Sequence, residues 1–147
     1  MSVVDNVLVG LLGQVSLPRV LLRRFPFEAR QKALKVLESV GVLEHAYRRA
    51  DELSGGQQQR VAIARVLAQE CSLVLADEPV ATLDPQAAVA ILQIMKQVSQ
   101  TRGLTVLCRL HQTDYAPQFA DRILAQFACS SPPALRLPTC FVARLCA

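Results

Sequence analysis

Two acids, Asp77 and Glu78, stand side by side after the apolar run Leu73-Val74-Leu75-Ala76 and before Pro79. A carboxylate in such a place can meet Mg²⁺ directly or through water, because that ion keeps most of its hydration shell. A second carboxylate beside it can polarise a water for in-line attack on a terminal phosphate. Taken alone, the same pair is more often a solvated turn after a strand. His111 closes a second apolar run, Thr105 to Leu110. Ligands of open α/β sheets bind at the carboxyl ends of strands, so His111 is expected at the same sheet edge as the acids. An imidazole there can hydrogen-bond a phosphate oxygen or the attacking water. A lone histidine is more often structural, and this one gains weight only from its position relative to Asp77 and Glu78.

A second group is Leu53-Ser54-Gly55-Gly56-Gln57-Gln58-Gln59-Arg60. Ser54 and Gln57 have the spacing of a capping box, in which each side chain bonds the other residue's backbone N–H. Gly55 and Gly56 present no Cβ, so a partner can approach the backbone closely. Free N–H groups and the helix dipole at such a terminus attract phosphate. Taken alone, the string is as well explained by a capped helix with no ligand.

These groups need elements to hold them. Residues 1–52 carry helical signals almost throughout and suggest a helical subdomain. Within it Glu28 to Val40 sets Ala29, Ala33, Leu34, Leu37 and Val40 mostly on one face, with Gly41 as a C-terminal stop. The pattern changes after Leu53. A helix from Ser54 to about Gln69 turns Val61, Ala64 and Leu67 inward, and Ser72 to Ala76 suits a buried parallel strand. Asp84-Pro85 supplies a favoured N-cap and a first-turn proline for a helix through Ile91, Met95 and Val98 to about Gly103. A strand over Leu104 to Leu110, a short helix and a strand beginning near Arg122 follow. Alternating strands and helices over 53–127 predict an α/β layer with a mainly parallel sheet. From about Ala128 to Ala147 three prolines and no clear period predict weak order.

Bulk properties exclude several classes. The chain has 147 residues, 52% hydrophobic and 19% charged, which is neither disordered nor fibrous in composition. No apolar run approaches the roughly 18 residues of a membrane span, and no secretion signal opens the chain. A cytosolic origin is therefore expected. Net charge is +4, and ten of the sixteen basic residues fall in the first 65 positions. With no run of like charge and 5% aromatic residues, the sequence does not read as a nucleic-acid binder. Five cysteines, Cys71, Cys108, Cys129, Cys140 and Cys146, with no CxxC pair, fit neither a disulfide framework nor a zinc site.

The order of the strings is more specific than any one of them. A glycine-rich capped helix, then strand-Asp77-Glu78-Pro79, then Ala81-Thr82-Leu83-Asp84, then strand-His111, resembles the ABC ATPase family over roughly residues 1 to 124. The resemblance implies a partial P-loop NTPase domain, ATP and Mg²⁺ as cofactors, and transport-coupled ATP hydrolysis. It matches Leu53 to Gln57 to the signature motif, so that Ser54, Gly55, Gly56 and Gln57 meet nucleotide. Leu73 to Asp77 matches the Walker B strand, with Asp77 holding Mg²⁺ mainly through water. Glu78 matches the catalytic base, Ala81 to Asp84 the D-loop that borders nucleotide, and His111 the switch histidine. Within the family, Arg49 to Arg60, Leu75 to Ala81 and Leu110 to Ala116 look like the ATP-binding subunit of phosphonate importers, and Ser2 to Gly10 and Leu21 to Phe25 agree. Such a subunit lies on the inner face of the cell membrane. It pairs head to tail with a second ATPase subunit and docks on transmembrane permease subunits. Through them it serves a periplasmic or extracellular substrate-binding protein.

The sequence also departs from that pattern. It contains no Gly-x-x-x-x-Gly-Lys-Ser/Thr string, and Gly10 and Gly13 have no Lys-Ser/Thr after them. On the resemblance the chain starts just past the Q-loop, and its cysteine- and proline-rich end replaces a glycine-containing turn and strands. This reads as a truncated form whose tail arose from a frameshift or gene-model error, and which alone does not hydrolyse ATP. The alternatives are a degenerate, non-catalytic partner of a full-length ATPase, or a gene remnant.

Overall fold

The computed structural model describes residues 1–14, 25–112, 114–126 and 140–145. Residues 21–24 of the Leu21 to Phe25 string lie outside these, as do 128–139 and 146–147 of the expected tail. The chain divides into two compact units, Met1–Cys71 and Ser72–Ala147. Among the described residues no helix is long and apolar enough to cross a membrane.

The first unit is helical: α1 (Val3–Gly10), α2 (Phe27–Ser39) and α3 (Gly55–Ala68), with short 3₁₀ turns at Leu43–His45 and Ala50–Glu52. Ser2 caps α1 through its hydroxyl, which accepts from Asp5 N–H at 3.2 Å. The next free donors of α1 are met by the main chain, Val3 N–H giving to Arg48 O at 2.9 Å and Val4 N–H to Ala46 O at 2.8 Å. Helix α2 buries Ala33, Val36 and Leu37, so Val36 faces the core where Leu34 was the expected contributor. Gly41 takes φ +71° just beyond the helix, and Val42 N–H returns to Leu37 O at 3.0 Å. A left-handed residue with this bond is a standard helix stop, and glycine adopts it without a Cβ penalty.

Helix α3 buries Val61, Ala64 and Leu67, the face its periodicity predicts. That face packs on α1 and α2. The first compact unit thus takes in α3, whose apolar stripe is completed by the helices before it.

The second unit contains β1 (Leu73–Asp77), α4 (Pro85–Arg102), β2 (Thr105–Leu110), α5 (Ala116–Phe119), β3 (Arg122–Gln126) and β4 (Cys140–Leu145). The sheet order is β1-β2-β4-β3. β1 and β2 pair in parallel, Leu73 opposite Thr105 through Asp77 opposite Arg109, while β4 runs antiparallel to both β2 and β3. Three strands thus point one way. Asp84 caps α4, its carboxylate accepting from Ala87 N–H at 3.0 Å with Pro85 in the first turn, and Gly103 ends the helix at φ +63°. Ile91, Leu92, Met95 and Val98 of α4 and Val106, Cys108 and Leu110 of β2 are buried apolar residues of this unit.

Two expectations are corrected. β1 is not a buried strand: Leu73 and Leu75 are 51% and 71% exposed. Among the described strands β1 is paired only along its β2 side, and no described helix covers the face that carries Leu73, Leu75 and Asp77. Second, Cys140–Leu145 is not irregular but a strand between β2 and β3. Phe141 and Val142 favour extended backbone, and two flanking strands supply its ladders.

Candidate functional site

Asp77 and Glu78 stand where β1 stops, and the stop itself is unusual. Glu78 has φ +50°, a left-handed conformation uncommon for a residue with a side chain. Such conformations cost of order 1–3 kcal/mol and cluster where a side chain must be aimed. Two main-chain bonds hold the turn: Glu78 N–H gives to Arg109 O at 3.1 Å, and Ala81 N–H to Glu78 O at 3.3 Å.

The turn aims Glu78 across the sheet edge at the end of β2. His111 Nε2 lies 2.6 Å from Glu78 Oε1, a charge-assisted hydrogen bond in which the imidazole donates. The parallel register that sets Asp77 opposite Arg109 puts His111 two residues beyond the ladder, so the strand-end expectation for His111 holds in space. Glu78 and His111 border a small cavity of about 140 Å³ lined also by Val80, Ala81, Leu110 and Gln112. That volume admits a few waters, at roughly 30 Å³ of liquid each, but not a nucleotide.

Arg109 is a member of this group that residue types and spacing did not single out. Its guanidinium lies 3.1 Å from Asp77 Oδ1 and 3.5 Å from Glu78 Oε1. The alternation of β2 held the signal, since an arginine between buried Cys108 and Leu110 must face the opposite side of the sheet, beside its register partner. Cys108 is buried beneath, and burial, with a smaller contribution from the charge of Asp77, pushes its thiol up to about 12. Asp84, also in this unit, spends a carboxylate oxygen capping α4.

Among the described residues no group of three or more His, Cys, Asp or Glu side chains is arranged to hold a metal ion. The Asp77 carboxylate has ligand chemistry suited to Mg²⁺. Its side chain is 74% exposed at the strand end, which suits an ion that uses one or two carboxylates and several waters. The donor set fits a water-rich site, with the Arg109 guanidinium on one of its oxygens.

Ser54, Gly55, Gly56 and Gln57 belong to the helical unit. The capping box is complete: Ser54 Oγ accepts from Gln57 N–H at 3.4 Å, and Gln57 Oε1 accepts from Ser54 N–H at 3.0 Å. The amide nitrogen of Gln57 lies 2.8 Å from His45 Nε2, a contact between residues twelve positions apart that no motif points to. Gln58 bonds Leu53 O at 2.9 Å, and Arg60 bonds Val40 O at 3.0 Å. The N-terminus of α3 is thus fixed from both sides, with Ser54 and Gly55 exposed.

Comparison with known proteins follows the same residues. Residues 1–81 match the ABC transporter family. The chain is 48% identical over 125 residues to the phosphonates import ATP-binding protein PhnC 1 of Nostoc sp., covering 85% of this chain and 47% of that protein. It is 52% identical over 126 residues to the phosphonates import ATP-binding protein PhnC of Hydrogenovibrio crunogenus, covering 85% and 46%. The chain therefore spans about half the length of these curated relatives. Among solved structures it resembles a dimeric, post-hydrolysis ATP-binding cassette bound to ADP and Pi, with a TM-score of 0.57 and 33% identity over 78% of this chain and 47% of that one. A signature-like capped helix, a strand-end acid pair and a strand-end histidine, found with these similarities, have one reading: the chain belongs to the ABC transporter family.

Proposed function

We propose that this chain carries the signature and hydrolytic half of the ATP-binding subunit of an ABC importer, for phosphonate or a related oxyanion. The observation that carries the reading is Glu78, turned by a left-handed backbone onto His111 at 2.6 Å beside Asp77. Glu78 would act as the base that orients and polarises the attacking water, and His111 would hold Glu78 and reach a phosphate oxygen. Asp77 would hold Mg²⁺ largely through water; when bound, that ion neutralises charge developing on the phosphates. Ser54, Gly55, Gly56 and Gln57 would meet the nucleotide of a second ATPase subunit in a head-to-tail pair, and Asp84 would border the same nucleotide. A dimeric cassette among the similar structures and the names of the relatives support this assembly and its substrate. The remaining partners are transmembrane permease subunits, hence a place on the inner face of the membrane, and indirectly a substrate-binding protein.

The 147 residues contain no Gly-x-x-x-x-Gly-Lys-Ser/Thr loop. A base gains nothing from proximity when the phosphate is not gripped, so this polypeptide alone is inactive in our reading. The test is ATP turnover by the purified 147-residue chain. None is expected; turnover that disappears on Glu78→Gln would refute it. A second reading, a non-catalytic partner that contributes only its signature face, is favoured by Arg109, whose guanidinium already reaches both acids. ATP-dependent dimerisation with an intact relative, lost on Ser54→Arg and indifferent to Glu78→Gln, is its expected mark.

A further inference from the structure

β2 and β3 follow one another in the chain and run the same way, yet they are not neighbours in the sheet. Adjacent strands lie about 4.8 Å apart, so β2 and β3 stand about 10 Å apart with room for one strand between them. Both walls of that opening are ladders. β2 offers Val106 to Leu110 and β3 offers Arg122 to Gln126, and each of these positions has a register partner in β4. The opening also lies in the core of the second unit: Val106, Cys108 and Leu110 are buried, and α4 packs on both β2 and β4. Left empty, it would strip buried backbone N–H and C=O groups of their partners, which folded proteins rarely tolerate. Something must fill it in any protein that shares these strands.

The strand that fills it here is at odds with its surroundings. Among the described strands β1, β2 and β3 point one way, and β4 runs against both of its neighbours. β4 also lies beyond the roughly 124 residues over which the motifs follow the ABC ATPase pattern. The two PhnC relatives align with 125 and 126 residues of this chain, which is 47% and 46% of their own length. Each relative therefore holds as much chain again from which to draw a strand for this place.

We propose that β4 is a stand-in: in a complete subunit the place between β2 and β3 belongs to a strand from the part that this chain does not match, running with its neighbours, and Cys140–Leu145 must leave to admit it. The proposal rests on the reading of this chain as half of an ATP-binding subunit. An opposed strand can serve meanwhile, because an antiparallel ladder also gives the facing backbone groups their partners. The place holds one strand, so the two occupants exclude each other. The tail blocks the partner, and the partner frees the tail.

The test follows backbone amide exchange. Residues 1–147 are compared with a chimera that joins them to the part of the Nostoc relative they do not match. In the 147-residue chain, segments 106–110, 122–126 and 140–145 should all be protected. In the chimera the first two should stay protected, while 140–145 should exchange as an unfolded chain does. Protection of 140–145 in a chimera that binds ATP would overturn the stand-in and leave the subunit reading intact. A folded chimera that binds no ATP would overturn that reading, whatever the tail does. Unprotected 140–145 in the 147-residue chain would show that β4 does not fill the place. Should the chimera fail to fold, the relative's part is co-expressed as a separate chain with residues 1–127 or with 1–147. The shorter chain should retain it and the longer one should retain less; equal retention, or none by either, contradicts the proposal.

Discussion

The side-chain amide nitrogen of Gln57 meets Nε2 of His45 at 2.8 Å, while the oxygen of the same amide accepts the N–H of Ser54. An amide nitrogen can only donate, so it bonds the tautomer of His45 that leaves Nε2 bare, whereas the Glu44 carboxylate, 3.3 Å from the same Nε2, bonds the ring when that nitrogen carries the proton. The cap of α3 is in this way tied to the 3₁₀ turn at Leu43–His45. Ser54→Ala should cost about 1 kcal/mol of stability, the usual loss for an N-cap serine. His45→Ala and Gln57→Ala should be non-additive, with a coupling of about 0.5–1 kcal/mol for one partly buried hydrogen bond. Urea unfolding of the single and double variants measures both. Strict additivity would mean that His45 and Gln57 act independently.

Gly10 marks a second joint in the helical unit. A Cβ added there would run into the backbone carbonyl of Arg65 in α3 and press on the Ala68 side chain. Backbone cannot swing aside as a long side chain can. Gly10→Ala should therefore destabilise by about 1–3 kcal/mol despite alanine's better helix propensity. Gly13→Ala meets nothing within 4 Å and serves as the control. Thermal melts of the two variants make the comparison, and a Gly10→Ala chain as stable as the unsubstituted one would show that α1 and α3 can part without cost.

How much of this was readable beforehand varied with the range of the forces involved. The capping box at Ser54 and Gln57, the Asp84-Pro85 start of α4 and the Gly103 stop are local, and all three stand as read. His111 was also legible, because the strand-end rule needs only chain direction. Arg109 was not singled out: the alternation of β2 turns it away from Cys108 and Leu110, but only the register of the two strands makes Asp77 its partner. β4 was missed for a similar reason. Its ladders join residues 140–145 to strands tens of positions earlier, after a proline-rich approach that masks any period. The exposure of Leu73 and Leu75 escaped because an apolar run looks the same whether or not another layer covers it.

Cys108 should behave as an inert thiol. Its pKa is pushed from 9.0 up to about 12 by burial and, less, by the negative charge of Asp77. The folded state thus holds the proton that the unfolded state gives up. The associated stability is fully present below about pH 9 and is lost as pH rises toward 12, where the folded thiol also ionises. Peptide mapping after iodoacetamide treatment at pH 8 should find Cys108 unmodified in the folded chain and modified in urea, with the half-buried Cys71 reacting first of the two. Equal rates at Cys71 and Cys108 in the folded chain would contradict the burial.

Ser99 offers a stabilising change. Its hydroxyl is fully buried in α4 and finds no hydrogen-bond partner among the described residues. An unsatisfied buried hydroxyl costs about 1–3 kcal/mol, and alanine fits the same space without it. Ser99→Ala should leave stability unchanged or raise it by up to about 1 kcal/mol in chemical denaturation, helped by helix propensity. A loss above about 1 kcal/mol would mean that the hydroxyl has a partner after all.

The most direct test places Glu78 where phosphate can be gripped. A chimera joins residues 1–147 to the part of the Nostoc ATP-binding relative that this chain does not match, and its steady-state ATP turnover is then measured with and without Glu78→Gln. The account predicts turnover by the unsubstituted chimera and a fall of about 100-fold or more on substitution, with nucleotide binding retained. A Glu78→Gln chimera that hydrolyses ATP as fast as its parent would contradict it.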